Sequence, residues 1–139
     1  MSPSPSSRGL LVVTGATGWV GRTALHELQK LLTAEEFLER VRPFASRECI
    51  IPTTGYTDLT PISIPVYPLA KLPELAKEQS IEAVFHSAFL TRDRVAHCGF
   101  ASYTATNRWI TQQVATALEL APCSKAVIIS SGAAAACDH

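Results

Sequence analysis

The fold of this chain is decided by residues 10–21, which read LLVVTGATGWVG. The stretch 10–13 is short and wholly apolar, as expected for a strand that is buried on both faces of a parallel sheet. Three glycines follow, and behind them apolar residues recur at helical spacing. These apolar residues are Val20, Ala24, Leu25, Leu28, Leu31 and Leu32. The sequence therefore predicts a strand, a glycine-rich turn and an amphipathic helix, in that order.

A turn of this kind can cradle the pyrophosphate of a dinucleotide. We expect Gly15 to let the chain leave the strand in a tight turn, Gly18 to let phosphate oxygens approach bare backbone, and Gly21 to let helix and strand pack closely. The first helical turn would then offer unpaired N–H donors and the positive end of the helix dipole to an anion. The predicted cofactor-binding residues of the turn are Gly15, Thr17, Gly18, Trp19, Val20 and Gly21.

Length and composition favour one globular domain. The chain has 139 residues, enough for a single core. Residues 1–8 are expected to form a disordered tail, and residues 9–139 a Rossmann domain. Twelve basic residues balance twelve acidic ones, so we expect neither nucleic acid nor a membrane surface as a partner. No apolar run approaches the roughly 20 residues that span a bilayer.

The cysteines indicate a reducing compartment. The four cysteines are scattered without a C-x-x-C pair, and residues 1–7, MSPSPSS, do not resemble a secretory signal. A cytoplasmic protein with free thiols is therefore expected. His97-Cys98 and the run 137–139, CDH, lack the paired spacing of a zinc site, so no metal is predicted.

Strands and helices alternate along the chain, which predicts an α/β fold with helices on both faces of a parallel sheet. Strands are expected near 10–14, 40–45, 62–67, 82–87 and 125–130. Helices are expected near 19–32, 71–78 and 100–121, with a helical extension around 34–39. Five prolines between Pro52 and Pro73 predict loop around one short strand. Right-handed crossovers give the strand order 3-2-1-4-5, which places a ligand above the carboxyl ends of strands 1 and 4.

Four segments in chain order carry a family resemblance. After the glycine turn come residues 83–89, AVFHSAF, then residues 106–111, TNRWIT, and residues 127–133, VIISSGA. With the turn, these resemble the extended short-chain dehydrogenase/reductase family, which includes NAD(P)-dependent epimerases and dehydratases. The resemblance covers nearly everything from Gly9 to Ala136 and implies a three-layer αβα Rossmann fold.

The resemblance implies roles for particular residues. Ser87, Ala88 and Phe89 would line the cofactor crevice, where packing alone would also explain small residues. Asn107 would bond backbone near the active site, or cap a nearby loop, because a buried amide needs partners. Ser131 would be the catalytic serine, with Ser130 supporting the cofactor. We expect His86 to be a hydrogen-bonded core histidine and not a proton carrier.

Cofactor choice is expected to depend on Ser46 and Arg47, just past strand 2. A hydroxyl beside a guanidinium suits the 2′-phosphate of NADP, so NADP is favoured over NAD. The alternative is that Arg47 is a solvated surface charge. The aspartate that the family has after strand 3 is replaced here by Pro68-Leu69.

The family's proton-transferring Tyr-x-x-x-Lys does not follow Ser131. Tyr67 and Lys71 match its spacing but precede the serine, enclose a proline and fall at the end of strand 3. We therefore expect the amino-terminal, dinucleotide-binding portion of an enzyme that transfers hydride at a carbonyl or hydroxyl carbon of a small-molecule substrate. The alternative is a non-catalytic dinucleotide-sensing domain. Self-association, as a homodimer for example, is expected through the apolar edge of strand 5 or the helix at 100–121.

Overall fold

The computed structural model describes residues 9–52, 62–90, 99–121 and 125–129. Within these ranges the chain forms strands and α-helices in alternation. The strands are β1 Leu10–Thr14, β2 Val41–Ala45, β3 Cys49–Pro52, β4 Ser63–Pro68, β5 Ile81–His86 and β6 Lys125–Ile128. The helices are α1 Trp19–Leu31, α2 Ala34–Arg40, α3 Leu72–Glu78 and α4 Phe100–Leu120. A 3-10 turn, Leu69–Lys71, leads into α3.

The described strands form one sheet in the order β3-β4-β2-β1-β5-β6. Strands β4, β2, β1, β5 and β6 are mutually parallel, and they are the five predicted strands in the predicted order 3-2-1-4-5. The α/β Rossmann-type fold is thereby confirmed. The chain order reverses between β1 and β5, which is where such folds bind ligands.

Strand β3 was not predicted. It pairs antiparallel with β4 at the outer edge of the sheet, with Ile51 opposite Ile64. Only three apolar residues precede Pro52, a run too short to distinguish from loop by periodicity. The strand forms because the edge tolerates a terminal proline and because Ile51 is buried against the sheet.

Helices cover both faces of the sheet. On one face α1 and α2 bury a cluster that includes Leu25, Phe37 and Val66. On the other face the 3-10 turn, α3 and α4 bury a second cluster that includes Leu72, Val84 and Val114. This is the three-layer arrangement that the alternating pattern predicts.

The apolar face of α1 is only partly buried. Leu25 is fully buried, but Leu31 is 79% exposed and Val20 is also exposed, so two members of the predicted apolar face lie outside the core. These two residues are exposed because α1 packs over β1 beside α2. The other side of α1 extends over β5 without filling the space above it. There Val20 and Leu31, with Trp19 and Phe85, line an apolar groove of about 500 Å³. No helix among the described residues is long and apolar enough to span a membrane.

A buried arginine joins the amino ends of the strands. Arg40, at the end of α2, donates from Nε to the Gly9 carbonyl oxygen at 3.3 Å and pairs through its second terminal nitrogen with Glu82 on β5. Its side chain is almost wholly buried, whereas that of Glu82 is partly exposed. The contact fastens α2, β1 and β5 together at the end of the sheet opposite the glycine turn.

Candidate functional site

The glycine turn opens on a residue whose backbone conformation favours glycine. β1 ends at Thr14, and Gly15 follows with φ of +69°, a conformation that L side chains rarely adopt. A Cβ at Gly15 would lie 2.7 Å from Ser87 Oγ and 2.9 Å from the Ala88 nitrogen. Gly15 therefore turns the chain and lets the turn rest directly on the end of β5.

Gly21 permits the closest contact of the turn. A Cβ there would lie 2.0 Å from the Gly15 carbonyl oxygen and 2.9 Å from the Ala16 Cα. The expected close packing is therefore found, although the helix meets the turn itself and not the strand. A Cβ at Gly18, in contrast, would meet only the Gly15 oxygen at 3.4 Å, an ordinary contact. Gly18 is exposed, so its backbone is open to solvent.

The first turn of α1 leaves main-chain donors without a local acceptor. Gly18 is the N-cap residue, no side chain caps the helix, and no acidic residue lies in its first turn. The first helical bond runs from the Arg22 N–H to the Gly18 oxygen at 2.9 Å, so the amides of Trp19, Val20 and Gly21 precede it. The Trp19 side chain is 79% exposed. This end of the helix is electrostatically suited to an anion.

The residues after β5 lie beside the glycine turn and are held to it by Thr14. The Thr14 hydroxyl oxygen accepts from the Ser87 amide at 3.1 Å and from the Ala88 amide at 3.2 Å. The Ser87 hydroxyl donates to the Thr14 carbonyl oxygen at 2.8 Å. The structure thus brings Ser87 and Ala88 together with Gly15 at the reversal point, and Phe89 follows them, 40% exposed.

His86 is hydrogen-bonded and buried, as expected. Its Nδ1 lies 2.6 Å from the Thr14 hydroxyl oxygen. Burial lowers the pKa of His86 below its ordinary value of 6.5, because the charged ring would lose its hydration. His86 also lines a cavity of about 320 Å³ between β5, β6 and α4. The sequence showed neither this bond nor the role of Thr14; the only signal is a polar residue that ends a wholly apolar strand.

Asn107 holds the loop that follows β5. Its Oδ1 accepts from the Leu90 amide at 2.7 Å, and its Nδ2 donates to the Leu90 carbonyl oxygen at 3.1 Å. Both backbone groups of Leu90 are therefore satisfied by one side chain on α4. The partner of Asn107 is thus backbone of the loop that begins at the carboxyl end of β5.

Ser46 and Arg47 directly follow β2, at the same sheet end as the glycine turn. Both are exposed. The turn is tied to β2 by the Ala16 amide, which donates to the Phe44 oxygen at 3.0 Å. Arg47 therefore lies in solvent at the sheet end that carries the glycine turn.

The predicted catalytic serine and its neighbour, Ser131 and Ser130, lie outside the described residues. The chain leading to them is anchored, because the Ile129 amide donates to the His86 oxygen at 3.0 Å. Thr17 lies in the described turn and is exposed.

The Tyr67 and Lys71 pair lies away from this site. Tyr67 is in β4, two strands from β1 on the side opposite β5, and Lys71 ends the 3-10 turn. The Lys71 Nζ lies 3.7 Å from a Glu74 carboxylate oxygen. Near them is an open groove of about 410 Å³ over β2, β4 and α3, also away from the glycine turn. Across the described ranges no three His, Cys, Asp or Glu residues cluster as metal ligands would.

Fold, turn geometry and strand order together define a dinucleotide-binding domain of the Rossmann class. A comparison with known families agrees: the model of the NAD dependent epimerase/dehydratase family matches residues 11–139. The chain therefore belongs to this family, whose cofactor is a nicotinamide dinucleotide, and the resemblance to extended short-chain dehydrogenases/reductases is confirmed. No curated protein and no solved structure gives a significant match.

Proposed function

We propose that the chain binds a nicotinamide dinucleotide across the ends of β1, β2 and β5 and serves as the cofactor-binding portion of an epimerase, dehydratase or reductase. The pyrophosphate would rest on the main-chain amides that open α1. The adenosine end would lie toward β2, and the nicotinamide end toward β5 and β6.

The observation that carries this proposal is the difference between the glycines of the turn. Gly15 and Gly21 are required by the packing of the turn, because a Cβ at either would strike backbone at under 3.0 Å. Gly18 has no such requirement, yet it is the residue that would face the phosphates. A missing side chain at an exposed position fits a ligand that approaches the backbone closely. The absence of acidic residues from the first turn of α1 fits a negatively charged one.

The chain's own residues would position the reactants. When bound, the nicotinamide supplies hydride chemistry at a carbonyl or hydroxyl carbon. Ser131 would donate a hydrogen bond to the substrate oxygen and stabilise charge that develops there. Asn107 would act indirectly, by fixing the Leu90 loop beside the crevice.

We propose NADP as the preferred cofactor. Ser46 and Arg47 follow β2, at the position where Rossmann domains discriminate the adenosine ribose. A guanidinium can give two charge-assisted hydrogen bonds to a 2′-phosphate, and a hydroxyl can add a third. A ribose diol would gain little from the same pair.

Titration of the purified chain with NADPH and NADH, followed by calorimetry, tests the proposal. Both should bind, NADPH more tightly, and Gly18→Ala should weaken both because its methyl group occupies the path of the phosphates. Gln79→Ala, which changes an exposed residue at the end of α3, is the control and should bind like the unmodified chain. Absence of heat with either nucleotide would contradict the proposal.

We also propose that the chain self-associates. β6 is the last described strand of the sheet, and its four residues are all exposed although three are apolar. Strands of parallel sheets are normally covered on both faces, and a bare apolar edge favours pairing. Light scattering should show dimers or larger species that Val127→Lys dissociates; a monomer at high concentration would contradict this.

A further inference from the structure

The Thr14 hydroxyl makes three hydrogen bonds at the junction of β1 and β5. It lies 2.6 Å from His86 Nδ1, 3.1 Å from the Ser87 nitrogen and 3.2 Å from the Ala88 nitrogen. Thr14 is fully buried and His86 is 7% exposed, so water has little access to these groups. The hydrogen bonds of the buried Thr14 hydroxyl must therefore be satisfied by these protein groups.

Counting donors and acceptors fixes the protonation state of the histidine. A hydroxyl has one proton to donate and two lone pairs to accept with. The amides of Ser87 and Ala88 are obligatory donors, and together they use both lone pairs of Thr14. The hydroxyl proton must then point at His86 Nδ1, which accepts it. The His86 ring is therefore neutral, and its own proton is on Nε2.

We propose that Thr14 and His86 form an acid-sensitive latch, which holds the end of β5 against the glycine turn only while the His86 ring is neutral. A protonated imidazole carries N–H groups at both nitrogens. Three donors would then face one oxygen with two lone pairs, and the hydroxyl proton would have no acceptor. At least one of the three bonds to the Thr14 oxygen must break, and we expect it to be one of the two longer ones, from the Ser87 amide at 3.1 Å or the Ala88 amide at 3.2 Å.

The latch matters because the glycine turn packs directly on Ser87 and Ala88, the two residues that the Thr14 hydroxyl holds. A Cβ at Gly15 would lie within 3.0 Å of both Ser87 and Ala88, so turn and β5 end are in direct contact. If the β5 end moves, the turn loses the surface that supports its conformation. We therefore expect acid to loosen the crevice even when no ligand is present. The effect on dinucleotide affinity rests on the proposed function.

No other charge faces His86 from the described elements packed around it. The described residues that share its cavity come from the β5 end, α4 and β6, and none is charged or titratable. On the β1 side its contact is the Thr14 hydroxyl. Nothing in these surroundings compensates a positive ring, and burial accordingly lowers the pKa of His86.

The lowered pKa of His86 sets the sign of the effect of pH on stability. The folded chain takes up the His86 proton at lower pH than the unfolded chain, in which His86 has its ordinary pKa of 6.5. The contribution of the neutral His86 ring to the free energy of unfolding is thus complete above pH 6.5, and it is lost as pH falls through the pKa of folded His86. If only the neutral form binds dinucleotide, affinity should fall roughly tenfold per pH unit below that pKa.

Nuclear magnetic resonance of the whole chain tests the latch directly. At neutral pH the His86 Nδ1 resonance should be that of an unprotonated nitrogen. On acidification, the protection factors of the Ser87 and Ala88 amides against hydrogen exchange should collapse together with the protonation of Nδ1. NADPH affinity, measured in parallel, should fall with them.

His86→Asn is the matched variant, because its side-chain oxygen can accept from Thr14 and cannot be protonated in this range. It should keep the protection of both amides in acid, whereas His26→Gln on α1 should respond like the unmodified chain. A protonated Nδ1 at neutral pH, or an unchanged acid response in His86→Asn, would overturn the latch. Failure of NADPH to bind at any pH would instead refute the proposed function, since the exchange measurements do not depend on ligand.

Discussion

Replacing Gly21 by alanine should destabilise the chain severely, although it adds one methyl group. That methyl would lie 2.0 Å from the Gly15 carbonyl oxygen, and an ordinary contact begins at 3.4 Å, so α1 or the turn must shift by about 1.4 Å. The obstacle is backbone, and α1 is fixed by Leu25, which is fully buried. Overpacking of this kind costs about 3 kcal/mol, the upper part of the usual range. For 139 residues this lowers Tm by about 10 °C.

Thermal unfolding followed by circular dichroism measures the effect, and Gly18→Ala is the matched control. Its methyl would find only the Gly15 oxygen at 3.4 Å, and its φ of −82° suits alanine. Gly18→Ala should therefore change the free energy of unfolding by less than about 1 kcal/mol, the scale of an N-cap substitution. Equal stability of Gly21→Ala and the unmodified chain would refute the packing argument, as would equal losses in both variants.

Three further predictions concern the choice of cofactor, the Arg40–Glu82 ion pair at the sheet end opposite the glycine turn, and the loop after β5. Arg47→Gln should weaken NADPH binding about tenfold and leave NADH binding unchanged by calorimetry, since one charge-assisted interaction is lost; an equal loss for both would place Arg47 elsewhere. Glu82→Gln should lower stability more than Arg40→Met in urea unfolding, because the first leaves a buried guanidinium without its carboxylate and the second removes the buried charge; the reverse order would contradict this. Asn107→Ala should cost about 1–3 kcal/mol and speed amide exchange at Leu90, whose two backbone groups lose their partner; unchanged exchange would show that Asn107 is dispensable for the loop.

Sequence periodicity predicted the central architecture because the inner strands and long helices have strong patterns. β1 is buried on both faces, so its sequence is apolar up to Thr14, and α4 places Val114 and Ala117 on the core side at helical spacing. Right-handed crossovers then leave little freedom in strand order. The edges were less predictable, since β3 is decided by pairing with β4 and not by its own three apolar residues.

The site was predictable where glycine is required and obscure where hydrogen bonding decides. Gly15 and Gly21 could be assigned because few other residues fit such turns, and the structure places both in close backbone contact. Thr14 carried no comparable signal, because a threonine at a strand end has many ordinary explanations. Its partners at positions 86–88 lie more than seventy residues away in sequence, and only the fold brings them within hydrogen-bonding distance.

The central claim is that main-chain amides at the start of α1 bind the diphosphate of a nicotinamide dinucleotide. Amide resonances of the 15N-labelled chain, recorded during a titration with NADPH, test it most directly. We expect the largest downfield shifts on Gly18, Trp19 and Val20. Saturable binding that leaves these three amides unmoved, with the large shifts elsewhere in the chain, would contradict it.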